Sequence, residues 1–67
     1  MNVDLNEKRV LESLTQEYIS ATEVSKKTGL NWFVAFGTLC FLALQGRIET
    51  IKTSKNYLFK KSEVNLI

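Results

Sequence analysis

A chain of 67 residues has room for a single domain, 1–67, and a chain this short buries only about 60% of the surface its unfolded form exposes. Its one cysteine and lack of histidine exclude an internal disulfide and a Cys/His zinc site, so assembly with another chain is the one remaining staple of small domains. Its 45% apolar and 24% charged residues are those of an ordinary globular domain, and its net charge is only +2.

The N-terminus, Met1 to Asn6, lacks the basic start and apolar run of a signal peptide. The longest apolar stretch, Leu30 to Leu44, is interrupted by Asn31, Gly37 and Thr38, and it falls short of the roughly 20 residues needed to span a bilayer. A cytoplasmic protein with no membrane role is therefore expected, its lone thiol suited to a reducing compartment.

Along the chain, Val10, Leu11 and Leu14 form a helical stripe that predicts a first helix over about 6–17, capped by Asp4 or Asn6. Tyr18 and Ile19 read as a very short extended piece. Ser20 and Glu23 have the spacing of a capping box, which opens a brief second helix facing inward at Val24 and stopped by Gly29. Lys26 and Lys27 fall near its C-terminus, where the helix dipole favours cations. Asn31 is placed to cap a third helix, 32–45, ended by Gly46. The period then changes to that of strands: 47–53, a turn at Ser54, Lys55 and Asn56, and 57–60. The tail from Ser62 is too short to assign.

The segment from Ile19 to Leu30, continued by Leu39, Leu42, Gly46, Arg47 and Ile48 and by a hairpin ending in an aromatic strand, resembles a winged helix-turn-helix domain. Small archaeal transcription regulators share this layout, and the eukaryotic-type small-subunit ribosomal protein with a winged-helix core is similar. The resemblance covers about residues 5–61. It implies an α+β fold of three short helices plus a C-terminal two-stranded β-hairpin wing, and it implies DNA binding, RNA binding or protein docking without choosing among them.

In DNA-binding members of that family the third helix meets base edges, which calls for polar or basic side chains on its outward face. With Ala35, Leu39 and Leu42 inward, as the resemblance implies, the outward face here is Phe33, Gly37, Cys40 and Leu44, flanked by Val34, Phe36 and Phe41. No residue from Trp32 to Gln45 is charged. Base reading by this helix is not expected; an interface made of Phe33, Phe36, Gly37, Cys40, Phe41 and Leu44 is.

Charge is uneven along the chain. Residues 1–25 sum to −3 and residues 26–67 to +5. Lys52, Lys55, Lys60 and Lys61, with Lys26 and Lys27, form the candidate phosphate-binding set, interleaved with Tyr57 and Phe59; the bland alternative is a solvated hairpin with those two rings alternately packed and exposed.

Catalysis has no footing. Glu7, Glu12 and Glu17 are five apart and do not pair on a helix, no glycine-rich phosphate loop or metal cluster is present, and Cys40 has apolar neighbours that would raise its pKa. The sequence thus reads as a non-enzymatic nucleic-acid binder without cofactor, metal or small-molecule substrate. It would dimerise through its third helix and hold DNA, ahead of RNA, through a basic wing. The alternative is a protein-docking module that uses the same helix and has no nucleic-acid role.

Overall fold

The computed structural model describes residues 3–62, with side chains from Leu5 onward. The order of elements is α1 (Val3–Ser13), β1 (Ile19–Ser20), α2 (Ala21–Thr28), α3 (Trp32–Leu44), β2 (Ile48–Lys52) and β3 (Tyr57–Lys61). The fold is α+β, three helices beside an antiparallel sheet of order β1-β3-β2. The sheet has three strands where the sequence reading counted two. Ile19 pairs with Phe59 and Ser20 with Leu58, so the short extended piece before α2 is an edge strand against β3.

The first helix differs from its expected bounds at both ends. It already includes Val3, so Asp4 and Asn6 lie inside it and not at its cap. It stops at Ser13, whose hydroxyl bonds back to the Val10 carbonyl at 2.7 Å, and the Leu14 amide closes the end on Leu11. The Thr15 hydroxyl then takes the Glu17 amide at 3.1 Å, a local bond that competes with further helix. Released from the helix, this connection is tied to β3 by the Lys61 amide on the Thr15 carbonyl at 2.9 Å.

The other boundaries follow from local chemistry. The Ser20 hydroxyl accepts from the Glu23 amide, the expected N-cap of α2, and Gly29 closes that helix at φ 78°, in the left-handed region that favours glycine. The turn to α3 is braced from both sides. Thr28 Oγ1 donates to the Val24 carbonyl and accepts from the Leu30 amide, and Ser25 Oγ donates to the Leu30 carbonyl. Asn31 Oδ1 accepts from the Phe33 amide at 2.7 Å and caps α3. At the far end Gly46, at φ 76°, donates to Ala43 while Arg47 donates to Leu42, the paired bonds of a Schellman stop. The hairpin turn spans 53–56 and is closed by Thr53, whose hydroxyl accepts from the Asn56 amide.

One core holds the elements together: Val10, Leu14, Ala21, Val24, Ala35, Leu39, Leu42, Ile48 and Phe59. Phe59 sits on the central strand and is 1% exposed. The tail beyond Ser62 lies outside the described residues. Among those described, no helix is long and apolar enough to cross a membrane; α3, at 13 residues, extends only about 20 Å.

Candidate functional site

The inward positions of α3 are those expected, Ala35, Leu39 and Leu42, all fully buried. Its remaining surface carries no charge, and it divides into two flanks and a ridge. On the flank toward α1, Phe33, Val34, Gly37 and Phe41 line an open groove of about 360 Å³ whose opposite bank is Asn6 and Glu7. On the flank toward the hairpin, Phe36, Cys40, Ala43 and Leu44 line a second groove of about 340 Å³ with Thr50, Tyr57 and Phe59. Phe33 and Leu44 project furthest, 77% and 87% exposed, and Phe41 is 45% exposed.

The six residues expected to form one interface are therefore not equivalent. Phe36 is half-buried, stacked on Trp32 at 4.9 Å between ring centres and edge-on to Phe59 at 6.2 Å, so its ring completes the wall of the domain. Cys40 is half-buried as well, and burial pushes its thiol above the ordinary value, which keeps it a packing group with little thiolate. Phe33, Gly37, Phe41 and Leu44 are exposed. Glu7, across the first groove, is occupied by Arg47, whose Nη1 donates to its Oε1 at 3.1 Å.

Gly37 is exposed on the flank toward α1, between Phe33 and Phe41, and a Cβ there would meet no atom within 4 Å. A clash inside the domain is thereby removed as a reason for glycine. Gly37→Leu should stabilise the isolated protomer by somewhat under 1 kcal/mol, because glycine costs about that much inside a helix. If another backbone closes on this face, the same change weakens association. Thermal unfolding over a range of protein concentrations separates the two effects: a higher midpoint when dilute with a smaller rise on concentration is expected, and an equally steep concentration dependence would rule out close backbone approach at Gly37.

The basic residues are spread further apart than their closeness in sequence suggests. Strand pairing sets Lys52 opposite Tyr57, Thr50 opposite Phe59 and Ile48 opposite Lys61, on the face that buries Phe59. Glu49 opposite Lys60 and Ile51 opposite Leu58 occupy the other face. Lys60 is engaged there: its ammonium stands 3.8 Å from Glu49 and 5.1 Å from the Tyr18 ring centre, and its side chain is mostly covered. It is not placed as a phosphate contact. Lys61 lies at the base of the hairpin, near Glu12 and Arg47. Lys26 and Lys27 are at the C-terminal end of α2, where Lys27 Nζ donates to the Ser13 carbonyl at 3.2 Å. Lys52, at the end of β2, and Lys55, in the turn, remain exposed at the hairpin tip. Of the two rings, Phe59 is packed and Tyr57 exposed, as the solvated-hairpin alternative expects; two residues apart on one strand, they share a face, Phe59 in the core and Tyr57 at its rim.

That arrangement yields a feature the sequence reading missed. The hairpin tip leans over the start of α2 and α3, and a cleft of about 270 Å³ opens between them, lined by Ser20, Trp32, Phe36, Lys55, Asn56 and Tyr57 among others. From the sequence Trp32 is only the first residue of its helix. Its meeting with Lys55 and Tyr57 depends on the long-range packing of the hairpin, for which the sequence carries no local signal.

Among the described residues no group of three His, Cys, Asp or Glu side chains is placed to hold a metal ion. No family model and no curated protein matches the chain.

Proposed function

We propose that this protein is a winged-helix homodimer, joined through α3, that holds nucleic acid by charge and shape at its hairpin tips and does not read bases with α3. The observation that carries this reading is the exposure of Phe33 and Leu44 on a helix without a single charge. Leaving such side chains in water forgoes about 1.5–3 kcal/mol each relative to burial. A second copy suits that face because it brings the same uncharged, apolar surface, and two such faces can meet about a two-fold axis.

The winged-helix assignment is supported by the order of elements and by the turn between α2 and α3. Three residues separate the two helices, one of them Gly29, and the chain bends by 113° there, as in a helix-turn-helix. The hairpin follows α3 directly, and β1 supplies the third strand. In this reading the protein is non-enzymatic, works in the cytoplasm and needs no cofactor.

Lys52 and Lys55 at the tip supply the phosphate contacts. Affinity for a fluorescent duplex should then be weak and indifferent to sequence, and each phosphate neutralised should add roughly −0.9 to the slope of log affinity against log salt. Replacing Lys52 and Lys55 together by Glu should abolish binding without disturbing the fold, since both are exposed. Light scattering at several concentrations, followed by duplex titration at two salt concentrations, tests the proposal. A monomer at several hundred micromolar would rule out the dimer, and salt-independent, sequence-selective binding would rule out recognition by charge.

The dispersion of the lysines, with Lys60 held by Glu49, favours a second reading in which α3 docks a different protein and nucleic acid plays no part. Retention of a monomer that binds no nucleic acid at low salt would favour it.

A further inference from the structure

We propose that the cleft at the hairpin tip is a binding site for an unpaired nucleotide of a single-stranded nucleic acid, with the base stacked on Trp32 and the adjoining phosphate held by Lys55. The inference rests on the nucleic-acid reading above and deepens it, because it makes single strands, not duplexes, the preferred ligand.

Three observations carry it. First, Trp32 lies parallel to Phe36, 7° between ring planes and 4.9 Å between centres, so one indole face is backed by a fixed ring. Phe33 also meets the indole at 5.4 Å with the rings perpendicular, yet Trp32 is 40% exposed and lines the cleft, which leaves part of the ring to a ligand. An aromatic ring braced by its neighbours and partly exposed in a cleft is a stacking platform, and it accepts any base because every base has a π-face. Second, the opposite lip is polar and basic. Lys55 and Asn56 project from the turn, and Lys52 stands 5.9 Å from the ring centre of Tyr57 on the same lip. Cation and ring thus line the same cleft, the combination that single-strand sites use to hold backbone and base together. Third, α3 offers no charged residue with which to enter a duplex groove, and a base can stack on Trp32 only when it is out of its own helix.

The sole tryptophan of the chain is the proposed platform, so intrinsic fluorescence reports on the site directly. The test titrates the full chain at low salt with oligo(dT) and oligo(U) of ten nucleotides and with a ten-base-pair duplex, reading both tryptophan emission and the anisotropy of labelled strands. The expected result is quenching by single strands, tighter binding of single strands than of duplex, and a loss of about 10- to 100-fold in single-strand affinity for Trp32→Ala with duplex affinity unchanged. Lys55→Glu, a change at an exposed turn, should weaken single-strand binding without removing the fluorescence reporter, and it keeps the test valid should Trp32→Ala fold poorly. The oligo(dT) and oligo(U) arms distinguish DNA from RNA as the source of the strand. Duplex binding with no quenching by single strands and no effect of Trp32→Ala would overturn the cleft while leaving the broader reading intact. Absence of binding to every strand at low salt would overturn both.

Discussion

Phe59→Ala is expected to leave the protein largely unfolded at room temperature. The side chain is 1% exposed on the central strand of the sheet, edge-on to Phe36, and it belongs to the core formed with Leu39, Leu42, Val24 and Ile48. Removing a buried phenylalanine costs about 3–5 kcal/mol, through lost transfer energy and through the cavity left behind. A domain of this size has only the lower part of the usual range of about 5–15 kcal/mol to lose, at roughly 0.05–0.15 kcal/mol per residue. The change also strikes the strand that pairs with both neighbours, so β1 and β2 lose their common support. Tyr57→Ala, on the same face but at the solvent-exposed rim, is the matched control and should cost much less. Urea unfolding followed by far-UV circular dichroism compares them; a Phe59→Ala midpoint close to that of Tyr57→Ala would show that the core does not close around β3.

Features set by neighbours along the chain were legible in the sequence, and features set by distant partners were not. Ser20, Gly29, Asn31 and Gly46 bound α2 and α3 within a residue or so of expectation, because a cap or a left-handed stop acts over three or four positions. The inward stripe Ala35, Leu39, Leu42 was readable for the same reason. By contrast, Tyr18 and Ile19 read only as a very short extended piece, too short for any period, and that Ile19 and Ser20 form a strand depends on β3 pairing with them forty positions away. The end of α1 was missed because the Ser13 and Thr15 hydroxyls make local bonds that outcompete a weak amphipathic signal.

The candidate sites divide along the same line. That α3 lacks charge is a fact of composition and was plain. Which of its aromatics stay outside depends on where the hairpin lands: it covers Phe36 and leaves Phe33 bare. Likewise Lys52, Lys55, Lys60 and Lys61 are close in sequence, but alternation along β3 turns Lys60 to the face where Glu49 and Tyr18 receive it. Trp32 joins Lys55 only through the packing of that hairpin.

Phe33→Glu should abolish self-association while leaving the protomer as stable as before, or slightly more so. Phe33 is 77% exposed, and its main contact within the domain is an edge-on approach to Trp32 at 5.4 Å. Substitutions at such positions usually shift stability by less than about 0.5 kcal/mol. The residue also lies in the first turn of α3, where a carboxylate gains about 0.3–1 kcal/mol from the helix dipole. In a two-fold dimer the same change acts twice. Each protomer loses the burial of a phenylalanine, about 1.5–3 kcal/mol, and must also desolvate a carboxylate against an uncharged face that offers it no partner. A micromolar dimer is held by only about 8 kcal/mol, so losses of this size move dissociation beyond the millimolar range. Sedimentation or light scattering would show a monomer at every accessible concentration, with a melting midpoint that no longer rises with concentration. Phe33→Leu, which keeps the face apolar, should retain most of the association. A Phe33→Glu protein of unchanged mass would place the dimer contact elsewhere, and one that loses its fold when dilute would mean that Phe33 serves the protomer and not a partner.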